Sequence, residues 1–431
     1  RRTISMIKSN LTSVRPQSAN YQPGELILRT KGGPSLQSGS VVEDLGAKVL
    51  DVFDSPGGLH KSESAGDFLH LKLPKGVSVE SALKSLAEDE RVEFAAPNTI
   101  YELPETAAQA VTPNDKGFSY LYGLHNEGQT GGTPDADIDA PEAWSIQRGR
   151  NQNHNGPIIA IIDTGIDYNH PDLKANMWTN PGEIPGDGID NDRNGVVDDV
   201  HGYNAVDNNG DPMDRQSHGT HVAGTIGAQG DNGTGVVGVN QEANLMAIKI
   251  FDDSGRTNAA AIIRGIQYAD KMGARVANNS WGGGAPNQGI QAAFADSSTF
   301  HLVAAGNDGK NNDSRPTYPA NYDLPNIVTV AATDHNDELA DFSNYGGRTV
   351  DLAAPGVDIV STVPGGKYSK MSGTSMATPH VTGAAGLIAA EYPNISNSEL
   401  RARLLDTVDQ KSQLQGQVIT GGRLNVANAL G

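Results

Sequence analysis

The chain contains no cysteine, which excludes disulfides and thiolate metal sites and leaves the redox compartment undecided. No apolar run approaches the roughly 18 residues needed to cross a bilayer, so no membrane span is expected. No secretory hydrophobic segment opens the chain either. Basic residues are in deficit: 32 Lys and Arg stand against 51 Asp and Glu, a net charge of -19. That balance argues against nucleic acid and anionic membrane as partners. The acid is also concentrated. Asp187, Asp190, Asp192, Asp198 and Asp199 share one short segment, where mutual repulsion is costly unless cations bind.

At 431 residues the chain is too long for one core of ordinary size, so two domains are expected. Residues 1–20 are polar and without periodicity and read as a flexible leader. Residues 21–105 read as a small α+β unit. Within it 25–29 is a short strand, 41–52 mixes helix and strand signals, and 68–73 alternates with period two. Next, 77–86 places Val79, Leu83 and Leu86 on one helical face, and Val92-Glu93-Phe94 opens a further strand. The stretch 101–110 has no amphipathic pattern and is expected to be exposed and cleavable. Further on, continuous apolar runs at 157–162, 245–251, 276–279, 302–305 and 327–332 alternate with helical stretches. Those stretches are 218–228, 258–272 with Thr257 as N-cap, 288–295, and the run after Ser375. Continuous apolar strands mean a sheet covered on both faces, and strand-helix alternation predicts an α/β domain with a mostly parallel sheet. Catalytic groups on such a sheet sit at the carboxyl ends of strands, and Asp163 and Asn307 both follow apolar strands.

The chain is organised around Gly373-Thr374-Ser375-Met376-Ala377-Thr378-Pro379-His380 and the small apolar run that follows. A serine between a glycine-rich loop and a small-residue helix can expose its hydroxyl at the helix N-terminus. Backbone N–H groups and the dipole favour developing negative charge there. Serine needs a base and an orienting carboxylate to act as a nucleophile. Of eleven histidines, His218 stands out at the start of a helix whose small residues pack closely, with His221 one turn on turned toward the protein. Asp163, in Ile161-Ile162-Asp163-Thr164-Gly165, is the natural orienter.

These segments resemble the three motifs of the subtilisin-type serine endopeptidases, the subtilase family, in the family's chain order Asp, His, Ser. The resemblance runs from about residue 21 to the C-terminus. It implies a three-layer catalytic domain over 136–431, preceded by a ferredoxin-like propeptide over 21–105 that inhibits the enzyme and assists its folding. Residues 106–135 then hold the processing junction and the arm of the mature enzyme, with the first cut expected at Tyr101. Carried over by residue, Ser375 is the nucleophile, His218 the base and then acid, Asp163 the orienter, and Asn307 an oxyanion donor beside the Ser375 N–H. Ser280, Trp281, Gly282 and Gly283 match the segment that pairs with substrate backbone, Ala304 and Gly306 flank the cleft, and specificity is expected to be broad.

The resemblance also implies a tight calcium site using Asp172 and the loop bearing Asp231, Asn232, Thr234 and Val236. A second calcium signal stands without the family. Asp187, Asp190, Asp192, Asn194, Val196, Asp198 and Asp199 place oxygen ligands like the first half of an EF-hand loop, with His201 where that pattern puts its late Glu. The plainer readings are a solvated acidic turn, a glycine turn at 230–236, and Trp281 and His380 as core residues.

One rival enzyme class pairs Asp163-Thr164-Gly165 with Asp253-Ser254-Gly255 as the two loops of an aspartic protease. A second rival is a catalytically idle calcium-binding or inhibitor protein on the same fold, and a third is a latent zymogen. The preferred reading is a calcium-stabilised serine endopeptidase, monomeric, self-processing, and acting on proteins and peptides. Because the chain begins at Arg1 and resembles this family, a secreted or cell-surface location with the leader already removed is expected.

Overall fold

The computed structural model describes residues 21–31, 40–53, 65–99, 110–149 and 156–431. The expected leader 1–20 and the expected cut at Tyr101 lie outside them. The chain divides into two units, Arg1–Glu105 and Thr106–Gly431.

The first unit runs β1 (Tyr21–Lys31), α1 (Val41–Asp44), β2 (Lys48–Phe53), β3 (Ala65–Lys72), α2 (Val79–Ala87) and β4 (Val92–Thr99). Its strands form an antiparallel sheet in the order β2-β3-β1-β4. The mixed signals at 41–52 separate into a short helix and a strand. Leu26, Leu28, Leu69 and Leu71 alternate onto one sheet face and bury against Val79, Ala82 and Leu86 of α2. Ser78 caps α2 by accepting from the Ser81 N–H at 3.1 Å.

The second unit contains α3 (Ala140–Ile146), β5 (Ile158–Asp163), β6 (Gly202–Asn204), α4 (His218–Gly227), β7 (Asn244–Lys249) and α5 (Ala259–Lys271). It continues with β8 (Val276–Asn279), α6 (Gln288–Asp296), β9 (Phe300–Ala304), β10 (Ile327–Thr333) and β11 (Leu352–Pro355). The hairpin β12 (Ile359–Val363) and β13 (Lys367–Met371) leads into α7 (Thr374–Glu391) and α8 (Asn397–Asp406). The chain closes with β14 (Asp409–Gln410), β15 (Gly422–Arg423) and α9 (Val426–Leu430).

Nine strands form one sheet in the order β14-β15-β11-β10-β9-β8-β5-β7-β6. All pairings are parallel except β14 with β15. The apolar runs are continuous because both sheet faces are covered. Ile159 and Ile161 point into a core shared with α4 and α7, while Ala160 and Ile162 point into a second core shared with α5. β5 pairs β7 on one side and β8 on the other. The chain therefore switches sides of β5 between β7 and β8, and the crevice at the carboxyl end of β5 is where such sheets bind ligands. Asp163 is the last residue of β5.

One helix start differs from expectation. Asn258, not Thr257, caps α5, accepting from the Ala261 N–H at 3.0 Å, while Thr257 Oγ1 donates to the Ile250 carbonyl. Asn258 sits one residue nearer the helix and reaches its third N–H without bending the chain.

Candidate active site

Asp163 is nearly sealed from solvent, and its Oδ1 accepts from the Thr164 N–H at 2.7 Å. The same oxygen lies 2.8 Å from His218 Nδ1. That contact makes Nδ1 the protonated nitrogen and leaves Nε2 as the free base. Small residues in α4 allow the approach, since a Cβ on Gly219 would sit 2.2 Å from the Gly165 carbonyl oxygen. Burial works against protonating His218, but attraction to Asp163, the bond to it and the charge of Asp214 outweigh that and raise its pKa above 6.5.

The other histidines of these motifs are structural. The His221 ring donates from Nε2 to the Ile359 and Ser369 carbonyls at 3.0 and 3.1 Å, tying α4 to the β12–β13 hairpin. His380 Nδ1 donates to the Met376 carbonyl at 2.9 Å. Burial lowers both pKa values to about 4.

Every residue of α7 except Ser375 and Glu391 is buried. A helix this deeply embedded needs small residues, and its first turn presents Ser375 at the N-terminus. Ser375 Oγ donates to the Ser280 carbonyl at 3.0 Å, so in this resting geometry it is held beside β8. Catalytic hydrogen bonds commonly form only once substrate is bound.

Asn307 is clamped by its side-chain oxygen. Oδ1 accepts from the Thr374 N–H at 2.8 Å and from Thr374 Oγ1 at 2.9 Å, which turns Nδ2 away as a free donor. A Cβ built on Gly373 would lie 3.5 Å from Asn307 Nδ2 and 3.6 Å from Ser375 N, so the two donors converge on the space that glycine leaves open. Ala304 ends β9, and Gly306, at φ +110°, lets its N–H reach Thr374 Oγ1 at 3.2 Å. A side chain there would strike Asn344 Nδ2 at 2.4 Å.

The sequence pattern of the subtilase family matches residues 154–422. This chain belongs to the subtilase family. A second family pattern, the fervidolysin N-terminal prodomain, matches residues 8–98 of the subtilase. The thermophilic serine proteinase of Bacillus sp. (strain AK1) is 37% identical over 356 residues, 82% of this chain and 76% of its own length. Thermitase of Thermoactinomyces vulgaris is 38% identical over 323 residues, 74% of this chain and 99% of its own length. Among solved structures, a protease of Pseudoalteromonas arctica PAMC 21717 matches with a TM-score of 0.60 at 27% identity, covering 74% of this chain and 98% of that one. Subtilases are serine endopeptidases, and the present subtilase is a serine endopeptidase with a prodomain.

In this subtilase the segment after β8 divides its work. Ser280 is buried and faces Ser375, whereas Trp281, Gly282 and Gly283 line a cavity of about 120 Å³ with Ile262, Ile290 and Tyr318. Trp281 also stacks on Phe294 with ring centroids 6.3 Å apart, so it is both core and lining. The aspartic-protease pairing does not form. Asp253 is largely exposed and ion-paired at 3.0 Å to Lys249, whose Nζ also donates to the Thr164 carbonyl.

Among the acidic positions, Asp172 is fully buried and accepts from Asn232 Nδ2 at 2.7 Å, the Val236 N–H at 2.8 Å and Tyr368 Oη at 3.1 Å. Thr234 N–H donates to Asn232 Oδ1 at 2.7 Å, and the Asp231 carboxylate is ion-paired to Arg148 at 2.8 Å. Asp115 was not anticipated. It is buried with Oδ1 unpartnered, and burial together with the neighbouring Asp172 and Asp231 charges raises its pKa despite two backbone N–H bonds.

In the acidic loop the structure gathers Glu183, Asp192 and Asp199, each offering an oxygen within 4.8 Å of the others. Asn194 bridges the last two, with Nδ2 at 3.0 and 2.6 Å, and Val196 N–H donates to Asn194 Oδ1 at 2.8 Å. The remaining acids accept from nearby groups instead: Asp187 from Ile189 N–H and Asn191 Nδ2, Asp190 from Asn194 and Gly195 N–H, and Asp198 from Gly186 and Gly188 N–H. Glu183 precedes the acidic run it completes, and Asp115 lies 116 residues before Asp231, whose N–H it accepts, so neither carries a local sequence signal. His201, at the late EF-hand position, contacts the Trp178 carbonyl at 3.2 Å.

Proposed function

We propose that the subtilase hydrolyses peptide bonds through Asp163, His218 and Ser375, with Asn307 and the Ser375 N–H holding the oxyanion. The observation that carries this reading is the 2.8 Å contact between a buried carboxylate and His218 Nδ1 at the carboxyl end of β5. His218 accepts the Ser375 proton as the hydroxyl attacks the carbonyl carbon, then returns it to the leaving amine, and water cleaves the acyl-enzyme. The clamped Asn307 supports the oxyanion role because its donor is oriented before substrate arrives. The aromatic and aliphatic cavity beside Trp281 supports broad specificity weighted toward apolar side chains.

Calcium is proposed at two places, and the donor sets fit it. At one, the buried, unpartnered Asp115 Oδ1 near Asp172 calls for a cation, with Asn232 and the backbone of the 230–236 loop as further oxygens. At the other, Glu183, Asp192 and Asp199 converge. Bound calcium there supplies charge compensation and loop rigidity.

The prodomain match supports a zymogen whose first unit inhibits the second. The divisions 1–20, 21–105, 106–135 and 136–431, self-cleavage at Tyr101, a monomeric mature enzyme and export to the cell surface or medium are part of the same proposal. Its test is to incubate the full chain with calcium and a phosphonofluoridate probe and follow intact mass. A shortened fragment labelled at Ser375 is expected, and a chain that does not cut itself and stays unlabelled even after its first unit is removed by a trace of active protease would overturn the reading.

A further inference from the structure

Asp214 lies four residues before His218, is 2% exposed, and took no part in the chemistry read from the motifs. Its carboxylate accepts five hydrogen bonds. Oδ1 takes Thr164 Oγ1 at 3.0 Å, Gln216 N–H at 2.8 Å and Ser217 N–H at 3.0 Å. Oδ2 takes Thr220 N–H at 3.0 Å and Thr220 Oγ1 at 2.6 Å. No cation pairs with it among the described residues.

These donors come from the two segments that carry the catalytic acid-base pair. Thr164 follows Asp163, and its Oγ1 also accepts from the Gly219 N–H at 2.8 Å, so one hydroxyl joins Asp214 to both sides of His218. Ser217, immediately before His218, is held at φ +102°, and its own side chain does not cap α4. A non-glycine residue in that region is strained and persists only when its surroundings over-determine it. Asp214 does so, binding the Ser217 N–H on one side and the third N–H of the helix on the other. It is the helix cap supplied from outside the helix.

We propose that Asp214 is a positioning residue for proton transfer, a buried anion that locks the Asp163 loop and the first turn of α4 together and so sets both the place and the basicity of His218. The inference rests on the triad assignment above. Asp163 faces His218 from β5 and Asp214 faces it from the preceding loop, with His221 one turn along α4. From α7, His380 couples to His221, and from β7, Lys249 is taken up by Thr164 and Asp253.

The test uses the full chain after activation. The second-order rate of phosphonofluoridate labelling of Ser375 is followed from about pH 4 to about pH 9, with kcat and KM on a peptide substrate beside it. Asp214→Asn is expected to lower the plateau rate and kcat by roughly 10- to 100-fold with KM nearly unchanged. It should also move the acid limb to lower pH by roughly half a unit, because a negative charge near the imidazolium is gone. A folded variant whose acid limb stays in place would overturn the inference, whatever its stability, since a purely structural residue would not move that limb. Thr164→Val guards against misfolding. It keeps the Asp214 charge and cuts only the hydroxyl link, so the plateau should fall while the limb holds, and an unchanged plateau would overturn the inference. Failure of the triad reading is distinguishable, because the unmutated chain would then not be labelled at Ser375.

Discussion

Ser280 and Ser375 are joined by two reciprocal hydrogen bonds: Ser375 Oγ donates to the Ser280 carbonyl at 3.0 Å, and Ser280 Oγ donates to the Ser375 carbonyl at 2.9 Å. The second bond answers a vacancy in the helix. The Ser375 carbonyl would ordinarily accept from the residue four positions on, but that residue is Pro379, which has no N–H. Ser280 supplies the missing donor and fixes the turn that carries Ser375, the proposed nucleophile.

Ser280→Ala should therefore cost more than a surface serine. Leaving a buried carbonyl unpaired costs about 1–3 kcal/mol. The expected outcome is a lower melting temperature together with a kcat loss that exceeds any change in KM. Thermal unfolding and peptide kinetics on the same preparation check it, and a change in neither would mean that the proline turn is held by packing alone.

Asn307→Ala removes one of the two proposed oxyanion donors. In a subtilisin, loss of the corresponding kind of donor lowers kcat about 100- to 1000-fold. The effect should fall on kcat with KM little altered, because the donor is aimed at charge that develops only in the transition state. The Thr374 N–H and hydroxyl would lose their acceptor too, so Thr374 reorientation adds to the loss.

The pH dependence of rate follows from His218. Its pKa is raised in the folded enzyme, and the base must be neutral to act. Activity should rise through a midpoint above 6.5. A pH-rate profile for kcat/KM that stays flat down to well below that value would contradict the assignment of His218 as base.

Stability should depend on pH mainly through the buried histidines, in the opposite sense from the His218–Asp163 pair. Burial lowers His221 and His380 to about 4 and His301 to about 3. Between about pH 6.5 and pH 4 the unfolded chain binds protons at these histidines that the folded chain refuses, so stability falls as pH drops through that window. Each contributes on the order of 3 kcal/mol at its lower end. The raised His218 acts against this, since its pairing with Asp163 stabilises the fold below pH 6.5 and that gain is lost as pH rises through its folded value. Melting temperatures across this window should decline toward acid, and a flat series would contradict the buried-neutral state.

Chelation tests the metal proposal. Ligand at 100 times its Kd stabilises a fold by about 2.7 kcal/mol, so EGTA should lower the melting temperature measurably. Asp115→Asn and Glu183→Gln should each remove part of that response, and the double variant most of it. A melting temperature unmoved by chelator in the unmutated chain would sink both sites.

The amino-acid sequence by itself pointed to the α/β class, to the succession of strands and helices along the chain, and to the residues proposed as the triad. Those features rest on local patterns: apolar runs of strand length, small-residue helices, and glycines where a backbone must pass close. Tertiary structure decided the rest. Glu183 joins Asp192 and Asp199 only when the loop closes, and Asp115 reaches Asp172 only when the arm packs on the 230–236 loop. Asp214 acquires its five donors from segments up to fifty residues away, and Ser280 meets Ser375 across ninety-five. No periodicity encodes such meetings, because carboxylates and hydroxyls find their partners through the fold rather than along the chain.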